Sequence, residues 1–210
     1  ALYNAKHDIV QVYSRTMAAA KQLAERLNAV PTDDLETITN DADLYIIALK
    51  DSVLDEVIGK ICPNRSEKLF VHTAGSMPID VFRGRTERYG VLYPMQTFSK
   101  TRIVDFRNIP VFVEANSIST MQTIIGVAQS VSDNVQELSS ADRRHLHLAA
   151  VWACNYVNHC YDLAAEVLQK VGLPFDVMLP LTDETARKVH ELSPREAQTG
   201  PAIRYDENII

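Results

Sequence analysis

Through the first half of the chain, short apolar runs alternate with amphipathic stretches, the arrangement expected where parallel strands are joined by crossover helices. Residues 9–13 read as the first visible strand. After Ser14, Arg15 and Thr16, residues 17–28 carry alanines, Leu23 and Leu27 at helical spacing with charges between them, which completes a βα unit. A short segment at Ala29 and Val30 and an acidic, capped turn over 32–38 lead to LYIIAL at 44–49, an unbroken apolar run suited to a central parallel strand. Asp51 or Ser52 is placed to cap a helix over 53–61. Residues 69–71 predict another strand, running into His72, Thr73, Ala74, Gly75 and Ser76, and 90–93 and 110–114 supply two more.

Beyond Glu114 the pattern turns helical. Residues 118–131 predict a helix, and 141–171 can form one long helix without an internal Gly or Pro. Leu146, Ala149, Ala150, Ala153, Val157, Cys160, Ala164, Val167 and Val171 recur along it at helical intervals, an apolar face wide enough for a core or a dimer seam. Gly172 ends it, Pro174 opens a helical region to about Leu192, and 193–208 is polar and broken by Pro194, Gly200 and Pro201. The expected fold class is α/β, a mainly parallel sheet over 1–115 followed by an all-α domain over 116–210.

Composition narrows the class of partner. A net charge of −6 with dispersed basic residues leaves no footprint for a nucleic acid. No run of about 18 uncharged apolar residues and no signal-peptide pattern is present, so a cytoplasmic protein with no membrane partner is expected. Cys62, Cys154 and Cys160 form no CxxC pair, which favours reduced thiols over a disulfide framework or a zinc site.

A dinucleotide-binding α/β fold opens with a strand, a Gly-rich turn and a helix, because bare amides at the helix start must approach the pyrophosphate. ALYNAKHDIVQVYSRT instead reads as the tail of that first helix entering the second strand. The expectation is a Rossmann-type sheet whose first strand and glycine loop precede this sequence.

The phrases VYSRT, LKDS, HTAGS, YPMQTFSK, HLAAVWACNYVNH, DETARKVHEL and TGPAIRYDEN, in this order, resemble the NADP oxidoreductases that pair a Rossmann-like N-terminal domain with an uncharacterised C-terminal helical domain. More distantly the layout is similar to pyrroline-5-carboxylate reductase and the 6-phosphogluconate dehydrogenase relatives. That resemblance implies hydride transfer between NADPH and a small carbonyl or imine, and a homodimer formed through the helices. A non-catalytic dinucleotide-sensing protein is the alternative, since fold alone does not establish chemistry.

Candidate residues follow from placement. Arg15 follows a strand where a Rossmann fold meets the adenosine ribose, and arginine there suits a 2′-phosphate, hence NADP; the other reading is a solvated surface arginine. Ser14 and Thr16 can add hydrogen bonds, although Thr16 is also a helix cap. Lys50 lies at the carboxyl end of LYIIAL, where ligands bind in parallel sheets, or else stands in solvent. Thr73 and Gly75 sit in a loop of the same kind, suited to the nicotinamide, while His72 fits a structural hydrogen bond as well as proton transfer. Gln96 is the polar member of a pocket wall or part of a plain connection, and Arg204 is held by a rigid turn to meet a carboxylate, a phosphate or an internal acid.

Asn155, Asn158, His159 and Asp162, at i, i+3, i+4 and i+7, line one side of the long helix. In reductases of the resembling layout the helical domain presents polar groups to substrate, which makes Asn155 the orienting group and His159 the proton donor, tuned by Asp162. A buried polar network or a dimer seam explains the stripe as well. His145 and His147 point elsewhere on the helix and complete no metal site. Asp183 with Arg187 and Glu184 with Lys188 are expected as exposed i, i+4 pairs.

Overall fold

A computed structural model describes residues 1–99 and 102–200. The chain divides into two compact units, Ala1–Trp152 and Ala153–Ile210.

The first unit is an α/β structure. Strand β1 (Gln11–Tyr13) leads through Thr16 into helix α1 (Met17–Leu27), which ends where Asn28 adopts the left-handed conformation and its N–H reaches the Ala24 carbonyl. Strand β2 (Val30–Thr32) pairs in parallel with β1, and the two form a separate ribbon. A single 3₁₀ turn, Leu35–Thr37, is capped by Asp34, as the acidic turn at that position predicts.

The main sheet runs in the order β3 (Leu44–Ile47), β4 (Leu69–His72), β5 (Arg88–Pro94), β6 (Val111–Ala115) and β7 (Val135–Glu137). All its pairings are parallel except β5 with β6. The apolar runs of β3 and β4 suit strands covered on both faces. Helix α2 (Asp51–Ile61) buries Leu54, Ile58 and Ile61 with Tyr45, Ile47, Phe70 and Phe82 in one core. Helix α3 (Ile118–Val131) buries Ile124 and Ala128 with Leu69, Val71, Leu92, Val111 and Val113 in the other.

Gly90 sets how closely α3 can lie on the sheet. A Cβ there would come within 2.3 Å of the Glu114 carbonyl oxygen and 2.4 Å of Ile124 Cδ1. Cys62, at the end of α2, is fully buried, and burial pushes its thiol up to about 11.

Several expectations change. Helix α2 begins at Asp51, which moves the capping position to Lys50, a residue that makes no side-chain cap hydrogen bond. The helix predicted over 141–171 is divided into α4 (Ser140–Ala150), a π-helical stretch Val151–Tyr156 and α5 (Val157–Gln169). Strand β7 was not foreseen: three residues with one apolar side chain give too little period to read, and pairing with β6 defines the strand.

The boundary between units falls inside the π-helical stretch. The second unit continues with α5, a 3₁₀ turn at Phe175–Met178, α6 (Leu179–Lys188) and α7 (Pro194–Ala197). Tyr161 of α5 packs against Phe175 with ring centroids 5.9 Å apart. Neither α5, α6 nor α7 buries a residue, so the apolar face of the long helical run stands exposed, with Val167 at 62% and Val171 at 70%. Instead of the predicted i, i+4 pairs, Arg187 meets Glu184 at i, i+3, with 3.6 Å between them. Among the described residues no helix is long and apolar enough to cross a membrane.

Candidate functional site

In an open parallel sheet the carboxyl ends of the strands face ligands, because each connection turns back there and leaves its loop free. At the end of β1 the Ser14 N–H donates to the Thr32 carbonyl at 3.1 Å, and the Thr16 hydroxyl accepts from the Ala19 N–H to cap α1. Between them Arg15 is exposed, and among the described residues it meets no carboxylate within ion-pair distance. Lys50, after β3, is likewise exposed and unpaired among the described residues.

The unpaired edges of β1 and β3 both line an open, largely apolar groove of about 1040 Å³. Val12 and Tyr13 border it from β1, and Ile46 and Ile47 from β3, with Leu49 and Thr73 near the strand ends. Thr73 is fixed by its N–H, which donates to the Ile47 carbonyl at 3.2 Å. The Ser76 hydroxyl donates to the Asp51 carboxylate, so the first residue of α2 is joined to the loop after β4.

Beneath the second of these loops lies a polar core that the sequence did not announce. His72 is completely buried, its Nδ1 accepts the Ala74 N–H at 3.1 Å, and its ring stacks on Phe82. Among the described residues Nε2 has no hydrogen-bond partner, and burial, reinforced by the Arg143 charge, lowers the imidazole to about 4. Of the two roles open to His72, the structure supplies the local hydrogen bond.

Arg143, from α4, is 1% exposed. Its guanidinium donates to Glu114 Oε2 at 2.5 Å and to the Met77 carbonyl at 2.6 Å. Ser140 adds a donor to the same carboxylate at 2.6 Å and accepts the Ile79 N–H at 2.9 Å. These bonds tie the segment after β4 to the end of β6 and the start of α4.

One turn beyond Arg143, His147 lies over Gly75. A Cβ on Gly75 would fall 2.4 Å from His147 Nδ1, so only glycine leaves room for the ring. The same nitrogen is 3.1 Å from the hydroxyl of Tyr93, and the two rings meet edge to face with centroids 6.1 Å apart. Tyr93 is 8% exposed, and burial raises its phenol above the ordinary value. The contact of His147 with Tyr93 was not foreseen in the sequence. The available signal was its i, i+4 relation to Arg143, which puts both on one face of α4.

Other expected residues remain apart from this cluster. Gln96 is exposed, and its side-chain oxygen accepts the N–H of its neighbour Thr97 at 2.9 Å. Asn155 lies in the π-helical stretch, while Asn158, His159 and Asp162 lie in α5, so the α-helical spacing behind the stripe holds for the last three only. All four are exposed, which removes the buried-network reading of them within this chain. Arg204 lies outside the described residues.

Two family models match the chain, a Rossmann-like domain over residues 1–96 and the domain of unknown function DUF2520 over residues 109–210. No curated protein matches it. Among solved structures it is similar to a Bacteroides fragilis protein described as a "putative NADP oxidoreductase", with 54% identity and a TM-score of 0.94 over 99% of this chain and 80% of that one. It also resembles an imine reductase from Myxococcus stipitatus in complex with NADP+, at 14% identity and TM-score 0.62 over 90% of this chain and 71% of the other. A pyrroline-5-carboxylate reductase from Coxiella burnetii is 18% identical with a TM-score of 0.60, covering 99% of this chain and 82% of its own. At those lower identities the likeness is one of fold.

Proposed function

Since this chain belongs to the family that joins a Rossmann-like domain to the DUF2520 domain, we propose that it is an NADP-dependent oxidoreductase acting on a small carbonyl or imine. The observation that carries the cofactor choice is Arg15, an exposed guanidinium with no carboxylate partner among the described residues, directly after a parallel strand. An uncommitted planar cation suits the 2′-phosphate that separates NADP from NAD. The names of the Bacteroides and Myxococcus proteins support the same cofactor.

When bound, NADP(H) supplies or accepts the hydride. The chain's own residues bind and orient. Ser14, Arg15 and Thr16 take the adenosine end, and Lys50, Thr73 and Gly75 line the strand ends towards the nicotinamide. The unpaired edges of β1 and β3 are suited to a further parallel strand between them, which would join the ribbon to the main sheet. Residues 1–115 form the nucleotide-binding part in this reading and 116–210 the helical part for substrate and dimerisation. Gln96, Asn155, His159 and Arg204 are the groups offered to the substrate. Exposed apolar side chains on α5 and α6 favour a homodimer through the helices, in a cytoplasmic protein.

Calorimetry on the full-length protein tests the assignment. NADPH is expected to bind at least tenfold more tightly than NADH, and Arg15→Ala to remove that preference by weakening NADPH alone. Equal affinity for both cofactors in the unmutated protein would defeat the reading.

A further inference from the structure

We propose that His147 is the residue that gives the substrate its proton in this reduction, with Tyr93 as the residue that positions the imidazole. The assignment rests on the hydride-transfer reading above. It takes the proton-donor role that the sequence offered to His159.

Tyr93 is near the carboxyl end of β5, and Gly75 belongs to the loop at the carboxyl end of β4, two neighbouring parallel strands. His147 is wedged over Gly75 and against the Tyr93 hydroxyl, so its ring stands at the ligand-facing edge of the sheet. Arg143, paired with Glu114, anchors the helix turn below.

The two ring nitrogens are not equivalent. Nδ1 is held by Tyr93, whereas Nε2 meets no partner among the described residues, and the ring is only half-buried. A histidine with one nitrogen fixed and the other free is oriented for proton transfer. Competing groups are less suitable. His72 is sealed from solvent, stays neutral down to about pH 4 and has Nδ1 committed to Ala74. The buried Tyr93 phenol holds its proton more tightly than usual, which suits a fixed neutral partner better than an acid.

The substrate carbon gains a hydride, with its electron pair, from NADPH. The C=O or C=N π pair moves to the oxygen or nitrogen, which takes the Nε2 proton of the His147 imidazolium. The imidazole is left neutral, with Nδ1–H donated to the Tyr93 oxygen, and solvent restores the proton. Oxidation runs the same steps in reverse.

Nitrogen NMR of the full-length protein labelled with ¹⁵N-histidine, loaded in turn with NADPH and NADP+, tests the placement. The two forms differ by one hydride and by the charge of the nicotinamide ring. The His147 ring signals are expected to change between them while those of His145 and His190 do not, and Tyr93→Phe is expected to alter the His147 tautomer while leaving NADPH affinity within about twofold. If NADPH binds and the His147 signals are identical in both forms, His147 is not at the reacting end and the proposal is overturned. Absence of NADPH binding would instead overturn the cofactor reading on which it stands. With any carbonyl or imine that oxidises NADPH, His147→Gln should lower kcat by about a hundredfold or more with KM little changed, and imidazole should restore part of the activity to His147→Gly. Retained kcat in the glutamine variant counts against the assignment.

Discussion

His72 shows how one side chain can make stability depend on pH without taking part in chemistry. Its folded value, about 4, lies below the ordinary 6.5, chiefly because burial penalises the charged ring. Between those values the unfolded chain holds a proton that the native protein does not, so stability rises with pH across that window. The contribution, on the order of 3 kcal/mol, is complete above about pH 6.5 and is lost as pH falls towards 4. Urea denaturation of the unmutated protein and His72→Gln between these limits should show a shallower pH slope in the variant. Equal slopes would mean that other groups govern the acid limb.

At the same scale, the site was readable only in part. Arg15, Lys50, Thr73 and Gly75 stand out because each follows a strand, and the strand-end rule needs only local pattern. Tyr93 with His147 and Glu114 with Arg143 are separated by 54 and 29 residues. No periodicity links such pairs. They become neighbours only when the fold brings α4 beside the ends of β5 and β6.

For the elements, β4 and α3 are plain in the sequence because their apolar runs are covered by the rest of the unit. The antiparallel turn of β6 is not, since strand direction depends on what the connection between β5 and β6 permits and not on strand composition. VWACNY contains neither Gly nor Pro, so its π-helical form also left no mark. Where strand and helix do meet, Gly90 is decisive. Alanine there would press on a backbone oxygen that cannot swing aside, and Gly90→Ala should cost about 2–3 kcal/mol in thermal or urea denaturation. A loss under about 0.5 kcal/mol would show that α3 can lift from the sheet at little cost.

Across the whole molecule, the two units differ in how they deal with water. The first encloses two apolar cores, while the second exposes Leu163, Val167, Val171, Val177 and Leu181. A helical segment with so little internal burial gains most by covering that face, which is why self-association is expected. Sedimentation should find dimers, with Leu163→Asp and Val167→Asp shifting them to monomers while NADPH affinity holds. Monomers in the unmutated protein at tens of micromolar would remove the dimer from the scheme.

The cysteines turn that difference into a measurement. Cys62 is sealed in the first unit with its thiol held protonated, while Cys154 and Cys160 are exposed and both belong to the second. A maleimide dye therefore enters the helical unit alone, with no engineered handle. Its rate of attachment becomes a ruler of crowding around that unit, slowing as protein concentration rises if a second copy shields the thiols, while Cys62 serves as the silent internal blank.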